Sequence, residues 1–226
     1  MNLKHVGIIM DGNRRWAKAQ GRDSIDGHSQ GAKMIRPIVE EAMEQGIEHI
    51  SFYALSEDNL LRDPREVNAL MNIFREFFAG NDLRDLMENG VKIDVLGRYT
   101  KLPGDIVKMI ENTMESSKKN KKITVHFALC YDGSQEIIDA AQGLIDNGIK
   151  KVTKEAFQKH LYSKGEAPDL DLIIRTGGEY RISGFLLWQA KYAELRFMDL
   201  FWPEYTPEIF RQDIQWYMDR ERRFGK

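Results

Sequence analysis

Two stretches of the 226-residue chain gather the side chains that handle phosphate. The first, Asp11-Gly12-Asn13-Arg14-Arg15, follows the apolar run Ile8-Ile9-Met10 without a break. It places a carboxylate, a flexible turn and cationic side chains at one strand end. Gly12 lets backbone approach an anion, and a helix that starts after such a turn offers free N–H groups. The second, Arg175-Thr176-Gly177-Gly178-Glu179-Tyr180-Arg181-Ile182-Ser183, ends another apolar run in the same manner. Guanidinium forks bind phosphate bidentately and glycines clear space for backbone contacts, so two separate clusters point to two phosphorylated ligands. Asp11 and Glu194 are oxygen donors suited to Mg²⁺, which binds through a few carboxylates plus substrate phosphates. Two further strand ends are also polar: Ser56-Glu57-Asp58-Asn59 with Arg62, and Tyr131-Asp132-Gly133-Ser134. Taken singly, Asp-Gly-Asn after a strand is more often a turn than a metal site, and a lone arginine is a surface cation. His28 beside Gly27, by itself, reads as a helix-start residue. The recurrence of such groups at equivalent strand ends carries the inference.

The elements that must hold these residues follow from hydrophobic period. Short β-branched runs alternate with longer amphipathic stretches, the pattern of a parallel sheet covered by helices. The runs predict strands over His5 to Met10, His49 to Leu55, Val91 to Gly97, Ile123 to Cys130 and Leu170 to Thr176, with Glu194 to Met198 as a weaker sixth. Helices are expected at Ser29 to Gln45, Pro64 to Glu88, Asp105 to Lys119, Ser134 to Asp146, Lys154 to Tyr162 and Pro207 to Arg222. The expected fold is a single α/β domain spanning 1–226, with a central, mostly parallel sheet of about six strands flanked by helices. In such sheets the ligand site lies beyond the carboxyl ends of the strands.

Bulk composition narrows the function. A chain that is 42% hydrophobic and 30% charged buries a substantial core. Its formal charge of -2 and pI near 6.2 argue against a nucleic-acid partner, whose phosphates demand a basic surface. The single cysteine, Cys130, excludes an internal disulfide and reads as a small buried strand residue in a protein of the reducing cytoplasm. The opening MNLKHVGIIMDG meets charge too early to read as a signal peptide, and no stretch approaches a membrane span. The expectation is a cytoplasmic protein, at most peripheral to a membrane.

The stretches HVGIIMDGNRRWAKAQG, GHSQGAK, FYALSEDN, DLDLIIRTGGEYRISGFLLWQAKYAELRF, LFWPEY and RERRFGK resemble the motifs of the cis-prenyltransferases, of which undecaprenyl diphosphate synthase is the bacterial type. Order and spacing match from one end of the chain to the other. The resemblance implies sequential addition of isopentenyl diphosphate to an allylic primer such as farnesyl diphosphate, with Mg²⁺ and cis double bonds. It implies Asp11 as the metal-handling carboxylate, completed by Glu194. It assigns Gly12, Asn13, Arg14, Arg15 and His28 to the allylic diphosphate, and Arg175, Arg181 and Ser183 to isopentenyl diphosphate. Asn59 and Arg62 would orient substrate or assist proton removal, with Trp16 packed beside the reacting centre.

By the same resemblance, Arg223 and Gly225 form a terminal signature that reaches across a homodimer. A hydrophobic tunnel is implied, with Ala32, Leu70, Val91 and Ile123 at positions that set chain length and favour a long product such as undecaprenyl diphosphate. Release of such a product implies peripheral membrane contact. The pattern also departs from the family: Leu60 replaces a tryptophan, Cys130-Tyr131-Asp132-Gly133-Ser134 replaces Asn-Tyr-Gly-Gly-Arg, Ser24 an arginine, and Gly184 an asparagine. A divergent enzyme making a shorter or branched product therefore stays open, as does a noncatalytic partner subunit, although Asp-Gly-Asn and RTGG are both retained.

Overall fold

The β-branched runs pair side by side because each is apolar on both faces and must be covered on both. The computed structural model describes residues 3–220. Its strands are β1 (His5–Ile9), β2 (His49–Ser56), β3 (Val91–Leu96), β4 (Ile123–Tyr131), β5 (Leu172–Arg175) and β6 (Glu194–Phe197). They form one sheet in the order β3-β4-β2-β1-β5-β6, and every pairing is parallel. All five residues of β1 are buried, as expected for a central strand of a doubly covered parallel sheet.

Alternation along the strands sorts the core into two clusters. Val6, Ile8, Ile50, Phe52, Val125, Phe127, Leu172 and Ile174 share the larger one. Ile9, Leu96, Ala128 and Ile173 join a smaller one with Phe185 and Leu186 on the other face. The helices are α1 (Asn13–Ala19), α2 (Ser24–Lys33), α3 (Ile35–Glu44), α4 (Pro64–Ala79), α5 (Asn81–Glu88), α6 (Gly104–Ser117), α7 (Gly133–Asp146), α8 (Lys154–Gln158) and α9 (Pro207–Met218). Of these, α3, α4, α5, α6 and α9 all contribute buried residues to the larger cluster.

Two expected helices are each broken in two. The stretch 29–45 divides at Met34, because Pro37 has no N–H and its ring collides with the carbonyl four residues back, at Lys33. The first half also begins earlier than expected, where the Asp23 side chain accepts the Ile25 N–H at 3.0 Å. The stretch 64–88 divides at Gly80, whose backbone is extended (φ −72°, ψ 155°). Helix α1 is the helix start expected after the Asp11-Gly12 turn. It begins directly after Gly12, which takes the left-handed conformation (φ 104°) that a side chain would resist.

Chain order turns about β1: β2 and β4 lie to one side, β5 and β6 to the other. That reversal opens a crevice at the carboxyl end of β1, where Asp11 stands.

Candidate active site

Asp11 is held from several directions. The Trp202 N–H and the Thr176 hydroxyl donate to its carbonyl oxygen at 3.0 and 2.7 Å. Its side-chain Oδ1 accepts from the Gly12 N–H at 2.7 Å and from Arg15 Nη2 at 3.1 Å. Oδ2 accepts from Arg175 Nη2 at 2.9 Å. The two clusters read from the sequence thus converge on one carboxylate. Arg15 also donates to the Gly177 carbonyl at 2.6 Å, and Arg175 donates to Ser183 Oγ at 2.9 Å and to the Arg181 carbonyl. Arg175 is only 5% exposed, and Ser183 adopts φ 49°, a strained value for a residue with a side chain.

The facing wall comes from α2 and α4. Helix α2 lies against the start of α1 because Gly27 and Gly31 leave room: a Cβ at either position would stand 2.1 Å from the Asn13 carbonyl oxygen or 2.3 Å from Asn13 Oδ1. This close approach sets His28 in the wall. Burial holds the His28 imidazole below its ordinary range, against the opposing pull of Glu66. Glu66 is a hub that motif reading missed. Arg62 Nη1 lies 2.8 Å from its carboxylate, and Arg14 Nη1 and His28 Nε2 each lie 3.7 Å away. Asn59 Oδ1 accepts the Ser56 N–H while its own N–H bonds to Ser56 Oγ, both at 3.3 Å, so this amide also closes the turn after β2.

These residues enclose a cavity of about 770 Å³. Asp11, Gly12, Asn13, Arg14, Arg15, His28, Asn59, Arg62, Arg175, Arg181 and Ser183 all line it. Lys18 and Arg22 join them, so that seven cationic side chains face four carboxylates within a chain of net charge -2. Ser24, which stands where the family has an arginine, lines the same cavity, and spacing from a motif did not single out Lys18 or Arg22. Asn13 Oδ1, His28 Nε2 and Arg175 Nε are buried and find no hydrogen-bond partner among the described residues. Such groups are costly to leave bare, and all three residues line this cavity. Asp132, another departure, accepts the Ser134 and Gln135 N–H groups at 2.7 and 3.1 Å and caps α7. Cys130 is buried as expected, and burial pushes its thiol up to about 11.

A second, apolar cavity of about 70 Å³ shares Met10, Asn13, His28 and Ala54 with the first. Ala32 and Leu70 line it. Val91 and Ile123 do not: they pair at the amino ends of β3 and β4 and are buried in the core. Trp16 lines neither cavity, and the Arg22 guanidinium lies 5.7 Å from its ring centre.

Glu194 is not brought to Asp11 within the protomer. It begins β6, in register with Leu172 and through it with Val6, at the opposite end of the sheet. There it pairs with Arg220 at 2.6 Å. Among the described residues, no group of three His, Cys, Asp or Glu side chains converges on one point. Arg223 and Gly225 lie outside the described residues. No described helix is long and apolar enough to cross a membrane.

Comparisons with known proteins place the chain in a family. Residues 9–225 match the family described as "Putative undecaprenyl diphosphate synthase". An isoprenyl transferase of Rickettsia typhi is 43% identical over 224 residues, covering 99% of this chain and 98% of its own. Another, from Fusobacterium nucleatum, is 42% identical over 222 residues, covering 98% and 95%. Among solved structures, lavandulyl diphosphate synthase from Lavandula x intermedia in complex with dimethylallyl diphosphate superposes with a TM-score of 0.94 at 30% identity, covering 99% of this chain and 98% of its own. A "probable undecaprenyl diphosphate synthase" from Campylobacter jejuni gives 0.85 at 30% identity, with full coverage of both. The chain therefore belongs to the undecaprenyl diphosphate synthase family and is a prenyltransferase.

Proposed function

We propose that the protein joins isopentenyl diphosphate to an allylic diphosphate at the carboxyl ends of β1, β2 and β5, with a cis double bond in the added unit. The observation that carries this reading is Asp11 clamped between Arg15 and Arg175, in a cationic cavity that shares walls with an apolar one. Diphosphates suit the first cavity and a hydrocarbon tail suits the second. The lavender relative, whose structure holds an allylic diphosphate, supports the substrate class.

In the condensation, C1 of the allylic substrate bonds to C4 of isopentenyl diphosphate. The C1–O bond breaks with its electrons going to the leaving diphosphate, and a proton leaves C2 of the isopentenyl unit. Charge grows on the leaving group, so donors already in place around it lower the barrier. Gly12, Asn13, Arg14, Arg15 and His28 take the allylic diphosphate. Arg175, Arg181 and Ser183 take isopentenyl diphosphate on the other side of Asp11, which holds the two in line. Arg62 and Asn59, braced by Glu66 and Ser56, orient the reacting ends. One carboxylate with phosphate oxygens is a donor set that Mg²⁺ takes, and the ion bound there supplies positive charge to the departing diphosphate. The terminal Arg223 and Gly225 complete the site across a homodimer, and peripheral contact with a membrane takes up the apolar product.

The test is incubation of the purified protein with labelled isopentenyl diphosphate, Mg²⁺ and dimethylallyl, geranyl or farnesyl diphosphate. Incorporation into an acid-labile product is expected. Asp11→Ala is expected to cut it by on the order of 10²-fold or more while the protein stays folded, because the carboxylate meets charge and not core. No incorporation with any primer refutes the reading and favours a noncatalytic partner subunit.

A further inference from the structure

We propose that Arg98 and Lys101, which stand outside the diphosphate cavity, are positioning residues for the reaction: through Glu57 they hold the turn after β2 that presents Asn59 and Arg62 to the reacting ends. This inference rests on the prenyl-transfer reading above.

The first argument is how little else fixes the turn. The short helical segment Glu57–Leu61 has no buried residue, and Leu61 is 85% exposed. Leu60 leans on the larger core cluster, but few buried contacts set the place of such a segment. The bonds between Ser56 and Asn59 join it to the end of β2 alone. Its far end is tied to α4, where Arg62 meets Glu66 at 2.8 Å. Its near end is tied to the loop after β3. Glu57 Oε1 accepts from Lys101 Nζ at 2.8 Å and lies 3.7 Å from Arg98 Nη1. The turn is thus slung between two ion pairs, with Asn59 between them.

The second argument is the firmness of the anchor. Arg98 directs Nε and Nη2 to the two carboxylate oxygens of Asp139 on α7, at 2.9 and 2.6 Å, the bidentate pairing that fixes a guanidinium best. Gln135 and Tyr162 donate to the same carboxylate, and the Arg98 fork holds it down at about 2, so the pair stays charged at neutral pH. The Arg98 N–H donates to the Cys130 carbonyl at 3.2 Å, and the Lys101 N–H donates to the Arg98 carbonyl at 2.9 Å. The two cations are therefore set by the ends of β3, β4 and α7 together.

Charge supplies the third argument. Glu57 lines the cavity, whereas Arg98 and Lys101 do not. A carboxylate beside two diphosphates is repelled by them. The cations at its back draw it away from the ligands, and any effect they have on the reaction passes through Glu57.

The experiment measures the single-turnover rate of the first condensation and its half-saturation by isopentenyl diphosphate, with Mg²⁺ and the allylic diphosphate that wild type uses best. The variants are Lys101→Met, Lys101→Arg, Arg98→Met, Glu57→Ala and the Glu57→Ala/Lys101→Met pair. An exposed ion pair adds little to stability, so Lys101→Met is expected to melt close to wild type. Its maximal rate is expected to fall about 10-fold with half-saturation within about twofold, since misplacing reacting groups by about 1 Å costs up to about 10²-fold. Lys101→Arg is expected to recover most of the rate. Arg98→Met, which also strips Asp139 of its partner, is expected to lower both rate and Tm. The double variant is expected to be no slower than Glu57→Ala, because both changes break one link. A wild-type rate in folded Lys101→Met, a rise in half-saturation alone, or losses that add in the double variant overturn the inference and leave the prenyl-transfer reading standing. No condensation by wild type with any primer overturns both.

Discussion

The two ends of one sheet treat polar side chains in opposite ways. At the carboxyl ends, Asp11, Arg15, Arg175 and His28 surround open space, and three buried polar atoms there lack partners among the described residues. At the amino ends, on the face of the smaller cluster, His5, His49 and His126 lie with ring centres 5.4 to 5.8 Å apart. Here the polar groups satisfy one another. His126 spans Asp94 Oδ2 at 2.9 Å and His49 Nδ1 at 3.1 Å, and His5 spans Ser51 Oγ at 2.7 Å and the Pro168 carbonyl at 2.9 Å. The same strands thus carry a closed network at one end and an unfinished one at the other. A buried polar cluster is structural when its partners are internal, and points to a ligand when they are missing.

Substitutions at the two ends are expected to separate activity from stability. The largest effect is expected from Arg175→Lys. A lysine keeps the charge but cannot span Asp11, Ser183 and the Arg181 carbonyl at once, so turnover falls on the order of 10²- to 10³-fold in steady-state assays. Retained turnover would show that charge alone suffices at this position. At the other end, His126→Leu leaves Asp94 and His49 without their partner. Each unsatisfied buried group costs about 1–3 kcal/mol, and a domain of this size loses about 2–4 °C in Tm per kcal/mol. Calorimetry should show that fall while kcat at low temperature stays near wild type. Lost activity in a folded protein would break the division between the two ends.

The smallest expected effect is the dependence on pH. Burial lowers the His5 imidazole well below its ordinary value, and burial with the His126 charge brings His49 down to about 4. Below pH 6.5 the unfolded chain therefore takes up protons that the folded one refuses. The contribution is complete above pH 6.5 and drains away as pH falls toward about 4. Melts from pH 7.5 to 5 should show a declining Tm, with a shallower slope in His49→Asn. Equal slopes would assign the decline to other groups.

Much of this was legible beforehand. The six strands were readable because parallel strands covered on both faces are apolar throughout, and the strand-end residues followed from topology. The helix breaks were not, because the apolar period runs on through Pro37 and Gly80 and hides them. Glu66 escaped notice because an acid in the first turn of a helix is ordinary dipole chemistry. Glu194 was read from the sequence as the first residue of its strand, but its distance from Asp11 within the protomer was not legible. Only its register with Leu172 places it away from Asp11. The histidines drew no attention because 5, 49 and 126 are neighbours only after β1, β2 and β4 pair.

By itself, the sequence determined the α/β class, the run of parallel strands, the charged residues gathered at the strand ends and the resemblance that named the family. These depend on local period and on residue types at short spacing, both of which survive in one dimension. Tertiary structure alone decided that Arg15 and Arg175 share one carboxylate, that Glu66 ties α1, α2 and the turn after β2, and that Phe77, Phe78 and Phe127 meet beneath the site. Each of these links residues far apart along the chain. Their distance is set by strand register and helix packing, and no local propensity encodes it.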